Sequence, residues 1–321
     1  MLPNDIKTIL KTFDWSNLNW STINKYHFGE FSFIELSEYL TKLFIEILRV
    51  KLNLPYSIDE LLNLKELVLS QINPTQVPPE IGNLTNLQKI YLVDNQLHEV
   101  PSEIGNLINL QLLDLSGNQL IQVPSEIGNL TNLLTLVLSE NQISQIPPEI
   151  GNLINLERLY LEDNQIVQVP PEIGKLINLQ RLILSNNQIR EVTKKIGNLM
   201  KLKGLNLSDN HITLVPTEIG KLINLQSLDL SSNQLTQVPS EIVKLINLQA
   251  LNLSSNQLVR VPPEIGMLNN LLMLNLSSNQ LTQVPPEIGA LTRLQVLYLR
   301  NNKLVLVPPE IREIPNILIE E

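Results

Sequence analysis

The chain has 321 residues, of which 43% are hydrophobic, no cysteine, and a formal net charge of −9. This length and apolar content suffice for a large core, while the lack of cysteine excludes disulfides and thiolate chemistry and favours a reducing, cytoplasmic compartment. Lys and Arg do not form the basic surface that a nucleic-acid-binding protein needs, so we expect no nucleic-acid partner.

The N-terminal segment MLPNDIKTILKTFDW lacks the basic start and the long apolar run of a signal peptide. No uninterrupted apolar stretch is long enough to cross a bilayer, so we expect a soluble protein without membrane insertion.

Residues 1–63 are predicted to form a helical, aromatic-rich N-terminal cap that ends in a degenerate half-repeat, LPYSIDELLNL. All aromatic residues except three tyrosines lie between Phe13 and Tyr56. A helix there would cover the open end of the repeat core with one apolar face. That face would consist of Leu36, Leu40, Leu43, Phe44, Ile47 and Leu48. The alternative is that Trp15, Trp20 and the nearby phenylalanines form a separate module that docks a partner.

Residues 64–316 consist of eleven consecutive repeats of 23 residues, with no insertion or deletion. Each repeat approximates L-x-x-L-x-L-x-x-N-Q-L-x-x-V-P-x-E-I-G-x-L-x-N. The repeats start at Leu64, Leu87, Leu110, Leu133, Leu156, Leu179, Leu202, Leu225, Leu248, Leu271 and Leu294.

Each fixed position of the repeat predicts a piece of structure. The L-x-L segment predicts a short strand with inward leucines. The asparagine, which only Ile72 replaces, is expected to be buried and to bridge backbone groups of neighbouring coils. Proline is expected to begin a short helical or 3₁₀ turn, and the glycine after isoleucine to end it in a left-handed conformation.

Stacked units of this kind bury a continuous core and predict an α/β solenoid with a parallel sheet. The motif resembles leucine-rich repeat proteins, in particular the 23-residue class of plant Ras-group proteins, Scribble-like scaffolds, bacterial repeat proteins and Roco proteins. The resemblance implies a right-handed horseshoe with a concave sheet, convex short turns and a macromolecular partner. It identifies no particular partner.

The residues between the leucines point outward from the sheet and differ between repeats. Strands from Lys89 to Ile183 mix tyrosine, arginine, acids and aliphatic residues, whereas those from Ser227 to Ser278 are mostly Ser, Asn and Asp. Because Tyr and Arg anchors dominate binding energy, we predict a partner-binding site at Lys89, Tyr91, Asp94, Val137, Glu140, Arg158, Tyr160, Glu162, Asp163, Arg181 and Ile183.

No catalytic, cofactor or metal motif is recognisable in the sequence. His27, His98 and His211 are scattered, no metal-ligand spacing or P-loop occurs, and the serines belong to the repeat. We therefore expect a non-catalytic protein–protein interaction scaffold. Thr193 replaces the first proline of its repeat, and Lys194 and Lys195 create a basic spot that is either surface drift or a contact for an acidic partner.

Residues 317–321 resemble the start of a further strand. The open end leaves three alternatives: a partly uncovered last coil, a homodimer through the solenoid end, or a segment of a longer protein. In the last case the function would be that of the repeat region of a larger Roco-like GTPase or other signalling protein.

Overall fold

A computed structural model describes residues 33–71 and 74–321. Its internal contacts divide the chain into two compact units, Met1–Phe44 and Ile45–Glu321. The predictions for Trp15, Trp20 and His27, and for the side chains of Leu36, Leu40 and Leu43, lie outside what the structure describes.

The first helix of the described chain is α1, Phe33–Lys51, which crosses the boundary between the two units. Within the second unit, Ile45 and Leu48 are fully buried in the core. Leu48 is thus buried as predicted, whereas Ile47 is only half-buried and Ile45, which was not part of the predicted face, is buried.

Helix α2, Ile58–Leu62, lies where the degenerate half-repeat was predicted. The Ser57 side chain accepts a hydrogen bond from the backbone N–H of Glu60, and the Glu60 side chain accepts one from the backbone N–H of Ser57. This reciprocal capping box satisfies donors at the start of the helix, and it positions Leu61, which is fully buried.

Twelve parallel strands form one sheet in the described chain, in sequence order from β1 to β12. From β1 to β11 the register advances by one 23-residue repeat at each step, so that equivalent positions lie side by side, and β12 pairs with β11 at an offset of 22 residues. The strands are β1 Glu66–Val68, β2 Lys89–Tyr91, β3 Leu112–Asp114, β4 Thr135–Val137, β5 Arg158–Tyr160, β6 Arg181–Ile183, β7 Gly204–Asn206, β8 Ser227–Asp229, β9 Ala250–Asn252, β10 Met273–Asn275, β11 Val296–Tyr298 and β12 Leu318–Glu320.

Short 3₁₀ turns form the opposite side of the repeat stack. They are Pro79–Asn83, Ser102–Asn106, Ser125–Asn129, Pro148–Asn152, Pro171–Lys175, Lys194–Asn198, Thr217–Lys221, Ser240–Lys244, Pro263–Met267 and Pro286–Ala290, followed by the short helix α3, Pro309–Arg312. The residue before each 3₁₀ turn is proline except at Thr193. Because β-strands lie only about 4.8 Å apart, the sheet forms the concave side of this right-handed solenoid.

The core lies between the sheet and the turns and runs continuously through the repeats. In each of the strands β1–β11 the central residue, such as Leu136 or Leu159, is buried. The predicted inward set of leucines and isoleucines is thus confirmed, and each repeat buries its apolar side chains only because its neighbours cover them.

The repeated asparagine bridges neighbouring coils, as predicted. Nδ2 of Asn141 donates to the backbone oxygens of Leu115 at 3.0 Å, Leu138 at 3.1 Å and Ser139 at 3.0 Å. Its Oδ1 accepts from the backbone N–H of Leu120 at 3.0 Å. One buried amide therefore satisfies backbone groups of two coils at the bend after the strand.

The prediction that the turn glycines adopt a left-handed conformation is wrong. In the described chain the only glycine with positive φ is Gly117, which lies in a bend beside the sheet. The turn glycines are needed for space instead: a Cβ on Gly128 would lie 2.6 Å from the backbone oxygen of Glu149 in the next turn. Where Val243 replaces this glycine, the 3₁₀ turn persists but packs less closely against the following one.

Candidate partner-binding face

The outward side chains of the strands, together with the second and third residues after each strand, form a surface that we call the sheet face. In each of the strands β2–β11 the central residue is buried and the two flanking residues are half-buried or exposed. The candidate residues on the strands all occupy flanking positions, so the fold leaves them free to contact a partner.

One group of repeats satisfies its own polar side chains on the sheet face. Ser231 donates its backbone N–H at 2.9 Å and its hydroxyl at 2.6 Å to Oδ1 of Asp229. The same pair of bonds joins Ser116 to Asp114, Ser254 to Asn252 and Ser277 to Asn275. These asparagines and aspartates are therefore partly occupied by their own chain and are less available to a partner.

Strands β4–β6 differ because an apolar or aromatic residue replaces this Asp or Asn. Val137, Tyr160 and Ile183 occupy the position on three adjacent strands. Two residues after Val137, the Ser139 hydroxyl has no hydrogen-bond partner although Ser139 is only 5% exposed. At the same position of the next repeat, Oε2 of Glu162 is buried and also lacks a partner.

The side chains on strands β4–β6 and the bends that follow them form three parallel rows. Arg158 and Arg181 form an exposed basic row. The apolar row of Val137, Tyr160 and Ile183 is half-buried, rather than fully exposed as the sequence suggested, since neighbouring side chains in register cover one another. The acidic row comprises Glu140, Glu162 and Asp163.

Except for Asp163, whose Oδ1 accepts a hydrogen bond from Nδ2 of Asn186, the charged groups of these rows are only lightly engaged within the chain. Arg158 lies 4.0 Å from its sequence neighbour Glu157, and Arg181 lies over Gly204, whose absent side chain leaves it room. Arg181 and Glu140 form no side-chain hydrogen bond or ion pair with any residue that the structure describes. Their charges are thus available for a partner, and such exposed charges favour association by their field.

The structure separates Lys89, Tyr91 and Asp94 from the other candidates. Strand β3, with Asp114 bonded to its own serine, lies between β2 and β4. Lys89 already pairs with Glu66 at 3.3 Å, and Asp94 accepts from Gln71 at 3.2 Å. We therefore centre the candidate site on β4–β6, with β2 at its margin.

Sequence reasoning missed a constraint at the bend residue that precedes each repeated asparagine. Glu140 has φ 54° and Asp163 has φ 56°, which is the left-handed region that side chains rarely adopt. The signal was present, because Gly117 and Asn186, residue types suited to this conformation, occupy the same position. These bend residues vary under a backbone constraint, and not freely as the sequence suggested.

A groove of about 840 Å³ lies beside Thr193 and Lys194. Thr193 keeps the φ of the proline it replaces, at −60°, and accepts a hydrogen bond from the backbone N–H of Lys195, so the turn is preserved. The glutamates Glu191, Glu218 and Glu241 line the same groove, and this mixed charge does not favour an acidic partner.

The described residues do not contain a group of three or more His, Asp or Glu side chains arranged to hold a metal ion. None of the helices in this part of the chain has the length and apolar character needed to cross a bilayer.

Comparison with known families identifies the repeats. The leucine-rich repeat region family matches residues 46–137, 102–192 and 185–276, and a two-copy leucine-rich repeat family matches residues 269–310. The chain therefore belongs to the leucine-rich repeat family, whose members are generally non-catalytic and whose repeats are typical of protein–protein interaction domains. No curated protein sequence matches the chain.

Solved structures with the same fold include bacterial and plant proteins. A leucine-rich repeat protein of Leptospira interrogans is 40% identical, with a TM-score of 0.70, 81% of this chain and 72% of that chain covered. The plant peptide hormone receptor RGFR1, in complex with RGF2, is 34% identical (TM-score 0.71; 79% and 41% covered). A TDR receptor is 29% identical (TM-score 0.74; 80% and 46% covered). The chain spans less than half the length of these two receptor chains.

Proposed function

We propose that this chain is a non-catalytic scaffold that holds a partner protein on its sheet face, centred on strands β4–β6. The observation that supports the proposal most directly is the contrast between the two groups of repeats. In β8–β10 the Asp or Asn side chains are bonded to their own serines, whereas in β4–β6 an apolar row lies beside unpaired polar atoms and free charges.

The chemistry of β4–β6 suits a protein surface. Tyrosine and arginine supply large contact areas and strong anchors when a partner removes them from water. Buried polar atoms without partners, such as the Ser139 hydroxyl, are costly, and they distinguish these repeats from those that satisfy their own polar side chains. The complex of RGFR1, a similar protein, with RGF2 supports a polypeptide ligand. The cysteine-free composition further leads us to place the scaffold in a reducing, cytoplasmic compartment.

The test is a pull-down from the lysate of the source organism with the 321-residue chain as bait. One variant combines Arg158→Ala, Tyr160→Ala and Glu162→Ala. The control makes equivalent changes at the same three positions of β10 and its bend, namely Met273→Ala, Asn275→Ala and Ser277→Ala. Circular dichroism and thermal unfolding establish that all three proteins are folded.

We expect the β5 variant to lose a partner that both the wild type and the β10 control retain. Loss in both variants would extend the site over the whole sheet face. Retention in both would show that the partner binds elsewhere and would contradict the proposal.

A further inference from the structure

We propose that the partner segment is an amphipathic α-helix that lies along the repeat stack over β4–β6, with an acidic edge above the arginines and a basic edge above the carboxylates. This inference rests on the proposed function and specifies the chemistry of the partner. It follows from the spacing of the strands, the separation of the rows, and the Glu162 carboxylate, which no described residue neutralises.

The strand spacing favours a helix over an extended chain. Neighbouring strands are in register, so equivalent side chains of the sheet face recur about every 4.8 Å. One turn of an α-helix rises about 5.4 Å, which gives nearly one turn of partner for each strand. In an extended chain, side chains on one side recur only about every 6.7 Å. Because this spacing exceeds the strand spacing, such side chains no longer lie over equivalent positions after two strands.

The separation of the rows also matches a helix. Arg158 and Glu162 are four residues apart, which corresponds to roughly 13 Å along an extended backbone. An α-helix with its side chains is about 10–12 Å wide. A helix whose apolar stripe rests on Val137, Tyr160 and Ile183 therefore presents one edge to each charged row.

The unpaired atoms indicate where the basic edge is held most firmly. Oε2 of Glu162 and the hydroxyl of Ser139 occupy the same position of adjacent repeats, and neither has a hydrogen-bond partner in the described chain. Both atoms are shielded from solvent, so a partner lysine or arginine approaches the half-buried Glu162 side chain from its accessible side and neutralises the carboxylate. Tyr160, two residues before Glu162, provides an aromatic wall for such a cation.

The test uses fluorescently labelled 18-residue peptides that share one apolar stripe. The mixed peptide carries Glu along one edge and Lys along the other, while two single-sign peptides carry only Glu or only Lys. A peptide with exchanged edges is not a control, because binding in the opposite direction restores the pairing. A fourth peptide, mixed in charge but with a central proline, cannot form a continuous helix.

Affinities for the 321-residue chain are measured by fluorescence anisotropy. We expect the mixed peptide to bind about tenfold more tightly than either single-sign peptide, since several exposed charge pairs each contribute modestly. We expect the proline peptide to bind more weakly than its parent. Equal binding of the mixed and single-sign peptides, no binding of any peptide, or equal binding of the proline peptide would overturn the inference.

Two sets of variants locate the charge recognition. The double variant Arg158→Glu, Arg181→Glu makes both charged rows acidic, so we expect the all-Lys peptide to become the preferred ligand. The matched control Lys244→Glu, Arg260→Glu makes the same change in net charge at exposed positions outside the sheet face, and it should leave the mixed peptide preferred. The same switch in both variants would show a general charge effect and overturn the inference.

Glu162→Gln tests separately whether the Glu162 carboxylate holds a partner cation, because the change removes the charge and keeps the shape of the side chain. We expect it to weaken binding of the mixed peptide but not of the all-Glu peptide; unchanged binding of the mixed peptide would overturn the role of Glu162. If the pull-down identifies a partner on β4–β6 and the peptides show no charge preference, the proposed function stands and this inference fails. If no partner depends on β4–β6, the proposed function itself fails.

Discussion

The hydroxyl of Ser231 donates to Oδ1 of Asp229 over 2.6 Å. The equivalent hydroxyl, that of Ser139, has no partner, because Val137 occupies the position of the aspartate in that repeat. A single residue choice on the strand thus decides whether the polar surface after it is satisfied by the chain itself.

Val137→Asn should supply the missing acceptor. The new side chain can accept from the Ser139 hydroxyl as Asn252 does from Ser254, at 2.8 Å. We expect the free energy of unfolding to rise by about 1 kcal/mol and partner binding to weaken, because the apolar row is interrupted. Urea unfolding and the pull-down measure the two effects, and unchanged stability together with unchanged binding would contradict this assignment. The control Val68→Asn changes the equivalent position of β1, outside the site.

Asn187→Leu should strongly destabilise the solenoid. Nδ2 of Asn187 donates to the backbone oxygens of Leu161 and Leu184, and its Oδ1 accepts from the backbone N–H of Ile166 at 2.9 Å. Leucine leaves these buried backbone groups without hydrogen-bond partners, so we expect the free energy of unfolding to fall by about 3 kcal/mol or more. Asn178→Leu removes a half-buried asparagine whose bond to the backbone oxygen of Ile154 is exposed to solvent. It should cost clearly less in the same urea unfolding experiment; equal losses would refute the special role of the buried amide.

Gly128→Ala should destabilise the turns by about 1–3 kcal/mol. The added Cβ would lie 2.6 Å from the backbone oxygen of Glu149, so the next turn must move. Gly204→Ala is the matched control, because its Cβ would meet only Arg181 atoms at 3.9 Å. Thermal unfolding should show a lower midpoint for Gly128→Ala alone. Similar midpoints for both variants would mean that the close approach of Glu149 does not explain the need for glycine at this position.

Glu60→Gln should reduce the loss of stability in acid. The backbone N–H of Ser57 donates to the Glu60 carboxylate at 2.7 Å, and this bond, followed by that of the Ser57 hydroxyl, holds the pKa of Glu60 below its ordinary value of 4.5. A folded-state pKa that is lowered contributes stability above pH 4.5, which is lost as the pH falls through the folded-state pKa.

The measurement for this carboxylate is urea unfolding at pH 6 and at pH 3. The wild type should lose more stability between the two values than Glu60→Gln does. The control, Glu313→Gln, alters an exposed carboxylate that bonds to no described residue and should behave like the wild type. An identical acid loss in Glu60→Gln would show that the capping box does not contribute.

The sequence alone determined the repeat, the inward residues and the class of protein. A 23-residue period with alternating leucines can bury its apolar side chains only by stacking, so the parallel sheet and the asparagine bridges follow directly. The charged and aromatic composition of the strands from Lys89 to Ile183 also led to the prediction of a partner-binding site there. These features depend on local pattern and on contacts between equivalent positions of neighbouring repeats.

Only the tertiary structure decided which polar groups remain free and which residues are constrained. The bond from Ser231 to Asp229 and the free hydroxyl of Ser139 depend on side-chain geometry that a repeat pattern does not contain. Similarly, Gly128 is required by the approach of Glu149 from the next turn, and Glu140 is held in a left-handed bend that few side chains adopt. Distances between coils set these properties, and such distances exist only once the repeats are stacked.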